Sequence, residues 1–385
     1  MEGKIKSPWP GPEGLIPVTS GRADDANLIN RRYLDSMMVE MRVIGAVEPN
    51  LETKIFGRKF SSPIMMPAFS HLNKVGKNGQ KPMEAYAEAA KEMNLLNWVG
   101  MEPDEEFAAI AAVGAPTVRI IKPFADHDLI LEQIAFAEAH GAFAVGIDID
   151  HIAGKDGHYD VVDGQPLGPV TQEDLAQYVK STHLPFIAKG VLSPDDAIDA
   201  VRAGCKGLVI SHHHGRIPFG VPPTYMLQKI MEVIYDPDLQ YFVDCGIDTG
   251  YDAYKAMALG ANAVAVGRGI LAPLLKEGKD GVVKMKEIMK SLRENPPKEL
   301  AGKKVLAVRD YLADTRTDCE GHVTPAGLPK SDVLYFELVD DAWVCIRPSG
   351  TEPKIKLYVN TNAKHPEDSA KENAELVEAC KALMA

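Results

Sequence analysis

The sequence has few of the features that would place it among disulfide-stabilised, zinc-binding or membrane proteins. Its 385 residues include five scattered cysteines, with no CxxC or CxxH spacing. These cysteines are Cys205, Cys245, Cys319, Cys345 and Cys380. An odd number of dispersed cysteines predicts reduced thiols rather than a disulfide framework or a zinc site. No apolar run reaches the roughly 20 residues of a membrane span. The first residues lack a signal-peptide core, so we expect a cytoplasmic protein.

Positive charge is also in short supply. The chain has 42 Lys and Arg against 54 Asp and Glu, which gives a formal net charge of −12. This balance argues against nucleic acid or an acidic membrane surface as the main partner. The apolar fraction of 45% and the charged fraction of 25% are ordinary for a globular protein. The length suffices for one large domain and a smaller one.

Strand-length apolar runs recur between residues 63 and 268, and amphipathic stretches separate them. Four of these runs lie at residues 63–70, 95–98, 117–122 and 142–150. Four more end in polar or glycine residues at Lys189-Gly190, Ser211, Asp244 and Gly267. This alternation predicts parallel βα units, and eight of them predict an α/β fold of the (β/α)8 TIM-barrel type. In such a barrel the residues just past the C-terminal ends of the strands form the active site.

From about Gly281 the pattern changes to that of a small α+β domain. An amphipathic helix at residues 283–292 precedes alternating strands and a closing helix. The predicted strands are residues 304–308, 332–338, 343–347 and 354–359, and the closing helix is residues 368–384. The predicted domains are a barrel over residues 1–285, a helix and linker over 286–303, and an α+β domain over 304–385.

Four polar side chains at the predicted strand ends suit an acid–base reaction. His213 is a candidate base, because an imidazole ring can accept a proton, and Asp150 is the candidate carboxylate that steadies the imidazolium. Arg216 offers a planar two-pronged donor to a carboxylate or phosphate, and Lys189 adds a second cation. Together they could bind a 2-hydroxy acid, remove its hydroxyl proton and pass a hydride to a cofactor. The alternative for Lys189, Asp150 and Asp244 is structural salt bridges at the barrel rim.

These strand ends resemble a known family in the residues that carry its chemistry. The matching motifs are Lys189-Gly190, Ser211-His-His213-His-Gly-Arg216, Asp244-Cys-Gly246-Ile and Gly267-Arg268. Over about residues 10–290 the chain resembles the FMN-dependent α-hydroxy acid oxidases and dehydrogenases. The resemblance implies oxidation of a small 2-hydroxy acid to a 2-oxo acid by hydride transfer to FMN. It also implies that His213 is the catalytic base, that Asp150 pairs with it, and that Arg216 clamps the substrate carboxylate.

The same resemblance implies an FMN site built from several strand ends. Lys189 would lie against the flavin N1/O2 edge and stabilise negative charge on reduced flavin. Asp244 would bind the ribityl chain, and the loops after the last two strands would hold the phosphate. The implied FMN-binding residues are Pro67, Ala68, Phe69 and Asn97 at the isoalloxazine ring, Gly246, Gly267 and Arg268 at the phosphate, together with Asp148, Lys189, Ser211 and Asp244.

The substrate pocket departs from the family pattern more than the flavin site does. Residues 17–19 stand where the family has a substrate-binding tyrosine, and Lys122 stands where it has a second one. Asp248 replaces a phosphate-binding arginine, and Lys155 is only a rough stand-in for a second active-site arginine. FMN binding is therefore the stronger implication, and oxidation of glycolate or lactate in particular is not supported by these residues.

The three consecutive histidines at residues 212–214 do not predict a metal site. Alternate residues at a strand end face opposite ways, so adjacent side chains do not converge on one ion. No partner cluster of ligands accompanies them in the sequence, and we predict no metal. Cys245 is interpreted as a small residue at a crowded phosphate loop rather than as a redox thiol.

The C-terminal region carries one sharp motif, an anion cradle of hydroxyl residues and glycine between two cations. The predicted phosphate-binding residues are Arg347, Ser349, Gly350, Thr351 and Lys354. From about Arg293 to the end the chain resembles the last domain of the phosphoglucomutases and phosphomannomutases, so a phosphorylated sugar is the implied ligand. The phosphoserine loop and the Asp-Gly-Asp-x-Asp magnesium loop of a complete mutase do not occur in the sequence, which argues against mutase activity. A solvated tight turn is the alternative interpretation of the motif.

Two other functions stay open at this stage. An FMN barrel with a different reaction, such as an isomerase, is disfavoured because His213 and Arg216 are retained. A non-catalytic sugar-phosphate-binding or regulatory protein is favoured by the missing substrate tyrosines. The family resemblance also implies a homo-oligomer.

Overall fold

In a computed structural model the chain is described at residues 22–40, 44–45, 47, 50–76, 79–153, 157–327, 331–348, 355–363 and 365–384. It divides into two compact units, Met1–Val282 and Val283–Ala385. The predicted domain boundaries, which add a separate linker, stay a prediction. Across the described ranges, no helix combines the length and apolar character that crossing a membrane requires.

The first unit is a parallel barrel ringed by helices. Its strands are β1 (Thr53–Ile55), β2 (Arg58–Phe60), β3 (Ile64–Met65), β4 (Asn97–Val99), β5 (Thr117–Ile121), β6 (Ala144–Asp148), β7 (Val161–Val162), β8 (Gln165–Pro166), β9 (Phe186–Val191), β10 (Gly207–Ile210), β11 (Gln240–Val243) and β12 (Ala263–Ala265). Its helices are α1 (Ala26–Ser36), α2 (Pro82–Met93), α3 (Asp104–Ala112), α4 (His127–Ala139), α5 (Gln172–Lys180), α6 (Pro194–Ala203), α7 (Pro223–Met231), α8 (Gly250–Ala258), α9 (Arg268–Glu277) and α10 (Lys279–Glu294), which continues into the second unit. A short 3-10 helix spans Leu72–Val75.

Eight of these strands form one sheet in the order β3-β12-β11-β10-β9-β6-β5-β4. Each recorded pairing in this sheet is parallel, and β12 pairs with β3, so the barrel is nearly closed. The seam between β3 and β4 is bridged just beyond the strands, where the Gly100 N–H donates to the Phe69 carbonyl at 2.8 Å. A Cβ at Gly100 would lie 2.7 Å from that oxygen, so only glycine permits this approach. The predicted (β/α)8 barrel is confirmed.

Local sequence explains why the strands and helices alternate so regularly. The barrel strands are short apolar runs because both of their faces are buried, as in β5, β6 and β9, where every residue is buried. Helices begin at residues whose side chains accept from the first-turn N–H groups. Thr171 and Thr249 each form a capping box with the Asp three residues later, and Ser193 caps α6. These caps fix where each crossover starts, and therefore where each loop at the barrel mouth ends.

Helix α1 lies against the loop that follows β11. Asp25 caps it, and Arg31 forms a salt bridge with the buried Asp252 of α8 at 2.7 Å. The Asn30 amide donates to the Cys245 carbonyl at 2.7 Å. This helix therefore holds the loop after β11 in place from outside the barrel mouth.

The second unit is an antiparallel sheet with a closing helix. Its elements are β13 (Glu299–Leu300), β14 (Lys303–Asp310), β15 (Thr315–Asp318), β16 (Val323–Pro325), β17 (Leu334–Leu338), β18 (Trp343–Pro348), β19 (Ile355–Asn360) and α11 (Pro366–Leu383). The strand order is β16-β15-β14-β17-β18-β19, and β13 pairs with β14. One face packs a core of alternating residues such as Leu334, Phe336 and Leu338. The predicted α+β character is confirmed, whereas the strands β13, β15 and β16 were not predicted.

Candidate active site

Two lysines and one aspartate meet at the C-terminal ends of three adjacent barrel strands. Asp148 ends β6 and is the register partner of Lys189 in β9, and Lys122 follows β5 directly. One oxygen of Asp148 (Oδ2) accepts from Lys122 Nζ at 2.6 Å, and the other (Oδ1) accepts from Lys189 Nζ at 2.7 Å. The three side chains are only 5–6% exposed. We call Lys122, Asp148 and Lys189 the charge trio.

The charge trio keeps its members ionised inside the protein. Burial alone would raise the pKa of Asp148, but the ammonium groups of Lys189 and Lys122 hold it well below its usual value. Burial alone would lower the pKa of Lys189, but Asp148, Asp150 and Asp244 raise it above its usual value. The trio therefore carries two positive charges and one negative charge, a net charge of about +1 at neutral pH.

The predicted base and its partner are in contact. His213 Nδ1 lies 3.0 Å from Asp150 Oδ1 and 3.2 Å from Oδ2. Burial alone would raise the pKa of Asp150, but His213 lowers it below its usual value, so this carboxyl is ionised. An ionised carboxylate on Nδ1 fixes the ring tautomer, so Nε2 is the nitrogen that can take up a proton.

The glycine at position 190 leaves room for the pair of His213 and Asp150. Gly190 is the unmatched residue of a bulge in β9, because Val209 pairs with Lys189 while Ile210 pairs with Val191. It adopts a φ of 92°, and a Cβ there would collide with the carboxyl group of Asp150. His213 also has a positive φ, 47°, and its N–H donates to the Ser211 hydroxyl at 2.9 Å.

Arg216 and a second histidine lie beside the base. Arg216 donates from Nη1 to the Ala153 carbonyl at 3.2 Å, while its buried Nε has no hydrogen-bond partner among the described residues. The His151 ring lies edge-on to His213 with 5.9 Å between ring centroids, and His151 Nε2 lies 2.9 Å from Asp160. Burial lowers the pKa of His151 to about 4, so this ring is neutral at neutral pH. Arg216 thus places a guanidinium beside His213, and its Nε is available to donate to a ligand.

A cavity of about 310 Å³ opens at the ends of β3, β9, β10, β11 and β12. Its wall combines an apolar side, a buried cation and small residues. The lining residues are Pro67, Ala68, Phe69, Ser70, Lys189, His213, His214, Asp244, Cys245, Gly246, Ile247, Asp248, Ala265 and Gly267. Asp150, Ser211 and Arg216 line a neighbouring cavity of about 660 Å³. The structure therefore brings eight of the predicted cofactor and catalytic residues to one wall.

The donor set of this cavity fits FMN. The apolar wall suits a flat ring, and the buried Lys189 suits the negative charge that a reduced flavin carries. Gly246 and Gly267 lie in the loops after the last two barrel strands, β11 and β12, and α9 begins at Arg268, so backbone N–H groups and a helix N-terminus are available to a phosphate. A Cβ on Gly267 would approach Phe69 to 3.3 Å and fill this space.

Asn97 does not lie at the barrel mouth, where the sequence predicts it. It opens β4 and pairs with Thr117 at the start of β5, so it lies at the N-terminal end of the barrel. Its amide donates to the Thr117 hydroxyl at 3.1 Å. The strand runs on to Val99, and Gly100 follows it at the barrel mouth. The apolar run predicted at residues 95–98 therefore extends one residue further, and Asn97 lies inside it and not at its C-terminal end.

Several predicted positions are beyond structural description. The side chain of Arg268 is one of them, although its backbone opens α9. Residues 17–19 and Lys155 lie outside the described residues, as do Ser349, Gly350, Thr351 and Lys354 of the C-terminal motif. Arg347 is described as the residue before the last in β18, and its guanidinium lies 5.7 Å from the ring centroid of Tyr358.

The salt bridge between Lys122 and Asp148 was not predicted. The sequence motifs indicate Lys122 only as a replacement for a tyrosine, and Asp148 only as a cofactor residue. The signal was present, because two oppositely charged residues at the ends of neighbouring parallel strands in a buried barrel must find partners. His151 was missed as well, since nothing in its local sequence marks it.

A cluster of ligand-type atoms from Asp148, Asp150 and His213 lies within 4.8 Å, a spacing that a metal ion could bridge. Both oxygens of Asp148 already accept from lysine ammonium groups, and Asp150 holds Nδ1 of His213. These atoms are therefore used by one another, and the cationic lysines oppose a further cation.

A buried carboxyl beside the mouth responds to pH. Glu102 follows β4 and is 3% exposed, and one of its oxygens accepts the His71 N–H. Its other oxygen has no hydrogen-bond partner among the described residues. Burial raises the pKa of Glu102 to about 7. A folded-state pKa above the unfolded value means that ionisation of this carboxyl weakens the fold.

We expect Glu102→Gln to remove a loss of stability at high pH. In the wild type, the contribution of Glu102 is fully present below the unfolded pKa near 4.5 and falls as the pH rises toward 7. At pH 8 the variant should therefore have a free energy of unfolding about 1–3 kcal/mol higher than the wild type, with no difference near pH 4. Urea unfolding at both pH values measures this, and Glu105→Gln, an exposed neighbour, is the control. A variant that loses stability with pH as the wild type does would contradict the assignment.

Comparison with known proteins covers both units. A family described as FMN-dependent dehydrogenase matches residues 18–169 and 153–294. The C-terminal domain of phosphoglucomutase/phosphomannomutase matches residues 283–378.

Curated relatives match mainly the barrel. An L-lactate oxidase of Roseobacter sp. (strain GAI101) is 27% identical over 307 residues, which are 70% of this chain and 80% of the relative. Glycolate oxidase of Spinacia oleracea is 27% identical over 310 residues, covering 70% of this chain and 83% of that protein. The 2-hydroxyacid oxidase 1 of Homo sapiens is 41% identical over 122 residues, which are 31% of this chain and 33% of that protein.

Solved structures show the same relationship. Mandelate oxidase with (S)-4-hydroxymandelic acid superposes with a TM-score of 0.60 at 26% identity, covering 69% of this chain and 84% of that one. A mandelate oxidase variant with a monooxide FMN adduct superposes with a TM-score of 0.57 at 29% identity and the same coverage.

Proposed function

Because the chain belongs to the FMN-dependent dehydrogenase family, we propose that it oxidises a small 2-hydroxy acid to the corresponding 2-oxo acid. FMN is the cofactor and supplies the ring that accepts the hydride. The observation that carries the proposal is the His213–Asp150 contact beside Arg216 and the Lys189 wall of the cavity. The relatives include an L-lactate oxidase, a glycolate oxidase and a 4-hydroxymandelate oxidase, and these activities support the same substrate class.

Four side chains of this chain take part in the proposed reaction. Arg216 binds the substrate carboxylate through its guanidinium, which orients the hydroxyl-bearing carbon. His213 takes the hydroxyl proton on Nε2 as the C–H electron pair leaves as hydride and the C=O bond forms. Asp150, on Nδ1, stabilises the imidazolium that results. Lys189 places a buried positive charge on the cavity wall, where negative charge develops.

An anaerobic spectrum tests the proposal directly. The purified protein is expected to show a flavin spectrum that bleaches on addition of at least one acid from a panel of glycolate, lactate and mandelate. Acetate and phenylacetate, which lack the hydroxyl group, are the matched controls and should leave the spectrum unchanged. A flavin spectrum indifferent to a broad panel of hydroxy acids would refute the oxidation and favour a non-catalytic FMN protein. No flavin after reconstitution with FMN would refute the cofactor site.

For the second unit we propose that the loop beginning at Arg347 holds a phosphate group, with a phosphorylated sugar as the ligand. Its support is the match of residues 283–378 to the phosphohexomutase domain and the position of Arg347 near the end of β18. Self-association and a cytoplasmic location stay predictions as well.

A further inference from the structure

We propose that Lys122 and Asp148 set how readily bound FMN accepts electrons, as a pair of opposite charges behind Lys189. This inference rests on the proposed function only in requiring FMN in the cavity that Lys189 lines. Asp148 would cancel the charge of Lys189, and Lys122 restores it. Lys122 and Asp148 are thus positioning residues that act through Lys189.

The geometry ties the three charges into one unit. Asp148 uses a separate oxygen for each ammonium group, at 2.6 Å to Lys122 and 2.7 Å to Lys189. All three side chains are at least 94% buried, so water screens these charges little and they act on the cavity almost undiminished. A group in the cavity next to Lys189 therefore feels the sum of the trio rather than one lysine.

That sum depends on Lys122. Lys189 and Asp148 alone would form a neutral pair, and Asp244, which also lines the cavity, would make the surroundings negative. Asp150 cannot balance this, because it is a second carboxylate and is held by His213. A more negative wall disfavours the extra negative charge of a reduced flavin. Lys122 adds one positive charge, which brings the trio to a net +1 and the trio together with Asp244 from −1 to zero.

Lys122 itself is not among the residues that line the described cavity wall. Asp148 lies between Lys122 and Lys189, so Lys122 acts on the cavity through its charge and not by contact. Loss of Asp148 alone would leave two buried ammonium groups without their shared carboxylate, whereas loss of Lys122 alone would leave the pair of Lys189 and Asp148.

A charge-matched set of variants tests the inference on FMN-bound protein. Lys122→Met gives the trio a net charge of zero, Asp148→Asn gives +2, and the double variant returns it to +1. Spectroelectrochemical titration measures the ratio of reduced to oxidised flavin at a fixed potential. We expect this ratio to fall roughly tenfold for Lys122→Met, about 30 mV for a two-electron couple, and to rise similarly for Asp148→Asn. The double variant should return to within about threefold of the wild type.

Lys206→Met is the control, because Lys206 is exposed and precedes β10 at the opposite end of the barrel. A merely structural role of the trio predicts losses in one direction for all variants, so shifts of opposite sign and their cancellation are diagnostic. Single variants that shift the same way, or a double variant that is worse than both, would overturn the inference. If Lys122→Met does not retain FMN, the absence of an upward shift in Asp148→Asn overturns it alone.

The measurement uses an electrode and no hydroxy acid. Opposite shifts in a protein that no hydroxy acid bleaches would therefore remove the proposed oxidation and leave the charge trio standing. Bleaching without opposite shifts would do the reverse.

Discussion

Flavin reduction by a 2-hydroxy acid is expected to slow by about 10²- to 10⁴-fold when His213 is replaced by alanine, the range typical of losing a positioned general base. The structure places Asp150 on Nδ1 at 3.0 Å, which leaves Nε2 to take the hydroxyl proton. Anaerobic stopped-flow bleaching at saturating acid measures the rate.

The effect should be one of chemistry and not of assembly. FMN content and the melting temperature should stay close to those of the wild type, since His213 is partly exposed and its ring supports no strand. His183→Ala is a matched control, because His183 is exposed and lies before β9, away from the mouth. A His213→Ala protein that bleaches within tenfold of the wild-type rate would show that another group takes the proton.

Substitution of Arg216 by leucine is expected to raise the KM for the acid roughly 100-fold. A charge-assisted, two-pronged contact to a carboxylate contributes about 2–3 kcal/mol, and each 1.4 kcal/mol is tenfold in binding. The unpartnered Nε of Arg216 supports this role, because a buried donor without a partner is the kind of group that a ligand satisfies. Initial rates against acid concentration give the KM and kcat separately.

Arg216→Lys separates charge from shape in the same assay. A point charge should recover part of the affinity and not the two-pronged geometry, so its KM should fall between those of the wild type and the leucine variant. Arg202→Leu, an exposed arginine on α6, is the control and should leave the KM unchanged. If Arg216→Leu lowers kcat and leaves the KM alone, Arg216 acts on the reaction step and does not clamp the substrate.

The sequence predicted the barrel well because the barrel strands are the most distinctive pattern in it. Runs such as residues 117–122 and 142–150 are mostly apolar and end in charge, a pattern typical of buried parallel strands. The second unit was predicted less completely. Strand β15 reads Thr-Arg-Thr-Asp, with Arg316 paired to Glu337 of β17 across the intervening strand β14, so no apolar alternation marks it.

The residues of the candidate site were predicted more completely than the contacts between them. The base and its carboxylate could be named because they follow strand ends, and the cavity glycines because the family resemblance implies them. Asn97 was misplaced because a strand of three residues gives no internal evidence of where it ends. The charges of Lys122 and Asp148 can be read from the sequence, whereas the bond that joins them depends on the register of β5 with β6.

The bulge at Gly190 also bears on how this protein can change over time. The pocket for the Asp150 carboxyl exists only because position 190 has no side chain and adopts a φ of 92°. Any single-codon replacement there adds a Cβ, so it displaces the partner of the base before it disturbs the buried strand neighbours. Substitutions at this position are therefore expected to affect proton transfer by His213 first. A lineage that lost the glycine would retain a folded flavin barrel with an impaired base.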